Sequence, residues 1–185
     1  MQLYNDEELV SRFCAGNKES FTQLYTKYRQ QLYGYCYRLL QDQDEAEDMV
    51  QSTFLKVYHN LGSLDKPELF YYWLFSIARN SIYTHLKSHR HNGKASLTEE
   101  EEHLVDTETP YEVMVKKEMS EILHLCLEEL KVEYREVLVL RQIEKLSYSQ
   151  IAAITGDTIS AVESRLFKAR KSLAKKLMPY YRERR

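Results

Sequence analysis

The sequence predicts an all-α fold of two small helical domains joined by a flexible acidic linker, and three observations carry that expectation. Five glycines and three prolines in 185 residues leave few of the tight turns that a sheet-rich chain needs. Apolar residues recur at helical spacing through most of the chain. Between residues 93 and 109 that periodicity stops, in a polar stretch with a four-glutamate run that closes on Pro110. The expected organisation is therefore a first domain over 1–92, a linker over 93–109 and a second domain over 110–185. A mean hydropathy of -0.57 suits a soluble chain. The longest apolar run, Leu69 to Phe75, is far short of the roughly 18 residues that would span a bilayer. The first residues carry no secretory pattern, so no direct membrane insertion and a cytoplasmic location are expected. Cys14, Cys36 and Cys126 are widely scattered and odd in number, which signals neither a disulfide framework nor a clustered zinc site.

Each helix of the first domain has its own signal. The first is expected from Asp6 to Ala15, with Asn5 as its cap and Gly16 after its end. A second should run from Glu19 to Leu40, and a third from Glu45 to Asn60, where Asp44 and Glu47 have capping-box spacing. The fourth should start near Pro67, a favourable first-turn residue, and reach His89. In the second domain Pro110 opens a helix to Glu129, and another follows from Glu133 to Ile143.

Two short helical signals then form a helix-turn-helix. Ser147 and Gln150 have capping-box spacing, Ile151, Ala152 and Ile154 supply a packing face, and Gly156 permits a tight turn before Thr158 caps the next helix. In that next helix Ile159, Val162, Leu166, Ala169 and Leu173 recur at inward spacing. Ser160, Ala161, Ser164, Arg165 and Lys168 are left outside. Small residues near the N-terminus allow close approach to base edges, and cations one turn later reach phosphate or guanine.

Charge divides along the same lines. Residues 1–92 carry 10 Lys+Arg against 11 Asp+Glu, residues 93–120 carry 3 against 8, and residues 121–185 carry 13 against 9. The net charge of -2 therefore conceals an acidic middle and a basic end. From Ser164 to Arg185 nine cations, among them Lys171, face only Glu183, the footprint of a nucleic-acid contact.

Two faces of the first domain call for partners. In the third helix Ala46, Met49, Val50, Phe54, Val57, Tyr58 and Leu61 face a core, while Asp44, Asp48, Gln51, Ser52, Leu55 and His59 lie opposite. A leucine in a polar stripe suits a protein-docking surface. In the fourth helix, with Phe70, Trp73, Leu74, Ile77 and Ala78 inward, Tyr72, Phe75, Arg79, Asn80, Tyr83 and Lys87 remain on or beside the other face. Aromatics mixed with cations, next to an amide, suit unstacked single-stranded bases. His85, His89 and His91 have no accompanying cysteine or carboxylate in sequence, so no metal site and no cofactor are expected.

The order of these motifs resembles the extracytoplasmic-function group of sigma-70-type sigma factors across nearly the whole chain. The matching stretches are Phe21 to Tyr28, EAEDMVQSTF, FYYWLFSIARN, LEEL, YREVLVLR, LSYSQIA and AVESRLFKAR. The resemblance implies a non-catalytic subunit that binds core RNA polymerase through its clamp and flap regions, directs it to promoters and helps open the DNA. It assigns Asp48 and Gln51, with Ser52 and Leu55, to core polymerase, and Tyr72, Phe75, Arg79, Asn80, Tyr83 and Lys87 to the single-stranded minus-ten element. A base flipped from the stack would enter a pocket built from the loop before the fourth helix and from that helix. Ser160, Ser164, Arg165, Lys168 and Lys171 fall to the duplex minus-thirty-five element. An anti-sigma factor is an implied partner, and the acidic linker would lie in a basic polymerase channel. The chain departs from the family's pattern at Thr84, Lys131, Asp157 and Glu163. Two roles are open to Glu163: accepting from a cytosine amino group, or facing solvent, which the helix dipole favours for an early-helix carboxylate. The rival reading is a helix-turn-helix regulator that binds duplex DNA without polymerase. It has no need of the aromatic-basic face. A nucleic-acid-modifying enzyme finds no ligand cluster or nucleophile-base pair in the sequence.

Overall fold

The computed structural model describes residues 4–89 and 121–182, and all regular elements among them are helical. The linker expected at 93–109, the start of the helix expected at Pro110, His91, Arg184, Arg185, and the side chains of His89 and Arg182 lie outside the described residues. Among those described, the chain falls into two compact units, residues 4–89 with 152–157, and residues 121–151 with 158–182.

Helix α1, Asp6–Cys14, begins with a reciprocal cap: the Asn5 side chain accepts from the Glu8 amide at 2.8 Å, and Glu8 accepts from the Asn5 amide at 2.9 Å. It ends before Gly16, whose φ of +98° belongs to the left-handed region. Helix α2, Lys18–Leu40, is capped by Asn17 and ends on Gln41 at φ 63°. That left-handed residue leaves Asp42 extended, so Asp42 caps α3, Gln43–Asn60, by accepting from the Glu45 amide at 2.9 Å. In place of the box expected from Asp44 and Glu47, the cap thus falls two residues earlier, on Asp42. Short 3-10 turns at Leu61–Ser63 and Pro67–Leu69 lead into α4, Phe70–His89.

Helices α2, α3 and α4 pack on one another, and α1 lies against α2. Leu24, Leu32, Tyr35 and Leu39 of α2 meet Val50, Phe54 and Val57 of α3 and Phe70, Leu74, Phe75 and Ile82 of α4 in the buried core. The Tyr35 and Phe75 rings sit edge-on at 5.2 Å, a geometry worth about 0.5–1.5 kcal/mol beyond area burial. Asp6 ties α1 down: it accepts from the Tyr28 hydroxyl and lies 2.6 Å from Lys27 Nζ. Burial and the Asp6 carboxylate together hold the Tyr28 phenol well above its ordinary range.

The second unit begins with α5, residues 121–128. Helix α6, Val132–Leu138, runs into a π-helical turn over Val139–Ile143 where an uninterrupted helix is expected. Arg135, only 8% exposed, donates to the carbonyls of Glu128 at 2.9 Å and Leu130 at 3.4 Å, so it satisfies the end of α5. Desolvation lowers its pKa, an effect opposed by Glu128. Along the chain α7, Tyr148–Thr155, whose residues 152–155 group with the first unit, and then α8, Ile159–Arg182, follow. Val162, Leu166 and Ala169 of α8 are buried as their spacing predicts, and α8 packs on α6. Leu173 is half-buried, and Ile159, expected inside, is 53% exposed because it opens the helix ahead of its packed turns.

Candidate partner and nucleic-acid interfaces

The outward face of α3 carries Asp48 and Gln51 exposed and Leu55 62% exposed. Ser52 is half-buried and returns its hydroxyl to the Met49 carbonyl at 3.1 Å. Leu55 is not stranded: it borders a groove of about 460 Å³ lined also by Phe21, Tyr25, Gln51, Phe54 and Tyr58. The walls are fixed by edge-on rings, Phe21 to Tyr58 at 5.0 Å and Tyr25 to Phe54 at 4.8 Å. Tyr58, expected in the core, is 36% exposed as part of this wall. Nothing in the α3 spacing marks the groove, because one wall of it, Phe21 and Tyr25, comes from α2. An exposed leucine beside an apolar trough edged by Gln51, with the exposed Asp48 on the same helix, has the make-up of a docking site for an apolar helix with a polar edge.

On α4, Asn80 and Lys87 are exposed, and Tyr72, Arg79 and Tyr83 are half-buried. The Arg79 guanidinium lies 4.5 Å from the Tyr83 ring centroid, a cation-π contact that holds both in place. Phe75 does not join them. It is fully buried, stacked on Tyr71 at 4.5 Å and edge-on to Tyr35, so no base can reach it. Trp73, expected in the core, is half-buried rather than fully enclosed. The covered flank of α4 includes Phe75 and Tyr71, whose hydroxyl receives a bond from Gln31 of α2 at 3.3 Å. Helical spacing alone does not say which flank α2 covers.

A second cleft, of about 420 Å³, separates α3 from α4 and is lined by Met49, Ser52, Lys56, Ile77, Asn80, Ser81, Thr84, His85 and Ser88. Lys56 Nζ sits 2.7 Å from Ser81 Oγ, which places a cation on the same cleft as the Asn80 amide. Lys56 has no motif of its own in the sequence; its position one turn after Ser52, toward α4, is the only signal. His85 Nε2 is 2.9 Å from Glu45 Oε2, so this histidine bridges the two helices.

The helix-turn-helix has the caps expected of it. The Ser147 amide donates to Gln150 Oε1 at 2.8 Å and the Gln150 amide to Ser147 Oγ at 3.3 Å. Gly156 turns at φ +72°, and Thr158 Oγ1 accepts from the Ala161 amide at 3.2 Å. Ser160, Ser164, Lys168 and Lys171 are exposed along α8, and Arg165 is half-buried. Lys176 engages Glu129. Phe167, absent from the sequence-derived set, is 69% exposed between these cations and offers an apolar surface suited to a thymine methyl. Its only mark in the sequence is that it falls off the apolar spacing.

Comparison with known proteins matches both units. The sigma-70 region 2 family matches residues 24–92, and the sigma-70 region 4 family matches residues 120–173. The RNA polymerase sigma-H factor of Pseudomonas aeruginosa is 34% identical over 96% of this chain and 96% of its own length. The ECF RNA polymerase sigma-E factor of Haemophilus influenzae is 31% identical over 94% and 96%. Among solved structures, the sigma factor RpoE of Bartonella quintana, crystallised with the anti-sigma factor NepR, is similar with a TM-score of 0.69 and 25% identity, covering 86% of this chain and 98% of that one. CnrH, solved with the cytosolic domain of CnrY, shares the fold with a TM-score of 0.68 at 24% identity over 94% and 97%.

Proposed function

The chain belongs to the extracytoplasmic-function group of sigma-70 factors, and on that premise we propose which of its surfaces carries each step of promoter-specific initiation. It binds core RNA polymerase and directs it to promoters. The family consists of non-enzymatic initiation factors, so promoter opening draws on binding energy and no catalytic group is assigned to this chain. Asp48, Gln51, Ser52 and Leu55 dock on the polymerase clamp, with the Phe21–Tyr58 groove taking the apolar side of the contact. Tyr72, Arg79, Asn80, Tyr83 and Lys87 hold the minus-ten strand, and Ser160, Ser164, Arg165, Lys168 and Lys171 face the minus-thirty-five duplex, while the second domain engages the flap. Residues 1–92 act as the melting domain and 110–185 as the duplex-reading domain.

One observation carries the assignment: the exposed Leu55 lies on an apolar groove on α3, while Asn80 and the Arg79–Tyr83 pair lie on α4, so docking and strand capture use different helices. Opening DNA costs roughly 1.4 kcal/mol per base-pair step, and stacking a captured base on an aromatic returns about 1–3 kcal/mol. Capture of one or two bases therefore biases melting without nucleotide hydrolysis. An anti-sigma factor that holds the chain off the polymerase is a further inferred partner, supported by the RpoE–NepR complex. No described helix is long and apolar enough to cross a membrane, and work beside the polymerase puts the chain in the cytoplasm. Run-off transcription with purified core polymerase tests the reading. Promoter-specific transcripts should require the chain, and Asp48→Ala with Gln51→Ala should abolish them by weakening core binding. Unaltered core affinity in that double variant would remove the docking assignment.

A further inference from the structure

Helix α8 presents cations to solvent, and among them stands one carboxylate without a counter-charge. Glu163 is exposed, three residues after Ser160 and beside Ser164. Thr158 caps the helix, which begins at Ile159, and its first turn contains no acidic residue. Glu163 is thus the fifth helical residue, beyond the first turn over which the dipole stabilises negative charge. The helix dipole therefore does not account for a carboxylate at this position. The residues three and four away on either side are Ile159, Ser160, Leu166 and Phe167, none of them a cation. No ion pair engages it among the described residues.

A carboxylate so placed in a helix that approaches duplex DNA is repelled by every phosphate and by most base edges. In the major groove guanine shows two acceptors and thymine a carbonyl acceptor. Adenine's amino group sits beside the N7 acceptor, and cytosine alone presents its amino donor without an acceptor on the same base edge. We infer that Glu163 is a specificity-determining residue of α8, accepting a hydrogen bond from the N4 amino group of a cytosine in the upstream promoter element. It rejects guanine and thymine at that position by the same charge. The inference rests on the reading of α8 as the duplex-reading helix.

The test is a selection by holoenzyme, the full chain with core polymerase, from a duplex library randomised across the upstream element. It is run with the wild type, Glu163→Ala, Glu163→Gln and Lys168→Ala. The wild type should enrich cytosine at one position. Glu163→Ala should lose that preference by at least roughly five-fold, the low end of one good base contact, and should bind unselected duplex more tightly. Glu163→Gln should move the preference toward adenine, whose N6 and N7 match a carboxamide. Lys168→Ala should weaken all sequences alike and leave the cytosine in place. A Glu163→Ala profile identical to wild type, with only uniformly tighter binding, overturns the role of Glu163 while α8 keeps its own. Should the wild type enrich no upstream sequence, the reading of α8 falls and the inference with it.

Discussion

Gly34 sits in the middle of α2, where a methyl group would meet Arg38 Nη1 at 2.6 Å. That atom is the far end of a flexible side chain, held by a 3.0 Å bond to the Gly34 carbonyl. An alanine gains about 1 kcal/mol of helix propensity, and the displaced bond is worth about 0.5–1.5 kcal/mol. The two nearly cancel, so Gly34→Ala should leave the urea midpoint within the equivalent of about 1 kcal/mol of wild type. A larger loss would mean that Arg38 cannot move. Phe75 and Tyr72 make a sharper pair. Phe75→Ala should cost about 3–5 kcal/mol of stability, the range for a buried aromatic. Tyr72→Ala should cost far less stability but impair strand capture on a pre-melted promoter bubble. Assigning Phe75 to the exposed set and Trp73 to the core from spacing fails for a definite reason. Both lie near the border of a wide apolar stripe, and the packing of α2 decides which border is covered.

The caps of the helices are the most legible elements, because they depend on residues within one turn of each other. Asn5, the Ser147–Gln150 pair, Gly156 and Thr158 stand where local chemistry places them. The exception is α3, where two acidic pairs of equal spacing compete and the left-handed Gln41 selects Asp42. Asp42→Ala should therefore cost about 1 kcal/mol, whereas Asp44→Ala should stay within about 0.5 kcal/mol of wild type in the same unfolding assay. Equal losses would restore the later cap. The π-helical turn at Val139–Ile143 and the groove of Phe21, Tyr25 and Leu55 are not legible at this scale. The groove arises from packing between α2 and α3, which no single-helix period encodes.

At the scale of the whole chain, charge is divided between an acidic middle and a basic end. On the proposed reading the basic end carries the duplex contact, and Lys176 is already engaged by Glu129. With about four cations displacing counterions, log affinity for the upstream duplex should fall against log salt with a slope of roughly -4. Arg165→Ala should reduce that slope by about one if Arg165 holds a phosphate, and should relax sequence preference by about 1–3 kcal/mol if it reads a base. A titration at several salt concentrations, on matched and mismatched duplexes, separates the two. Finally, the half-buried Trp73 is the sole tryptophan of the chain, and its ring lies 6.3 Å from Phe70 at the start of α4. Red-edge excitation bypasses the fifteen tyrosines, leaving one indole emitter on the helix assigned to strand capture. Capture of a minus-ten single strand by the isolated chain can thus be timed in a stopped-flow fluorimeter with no dye attached.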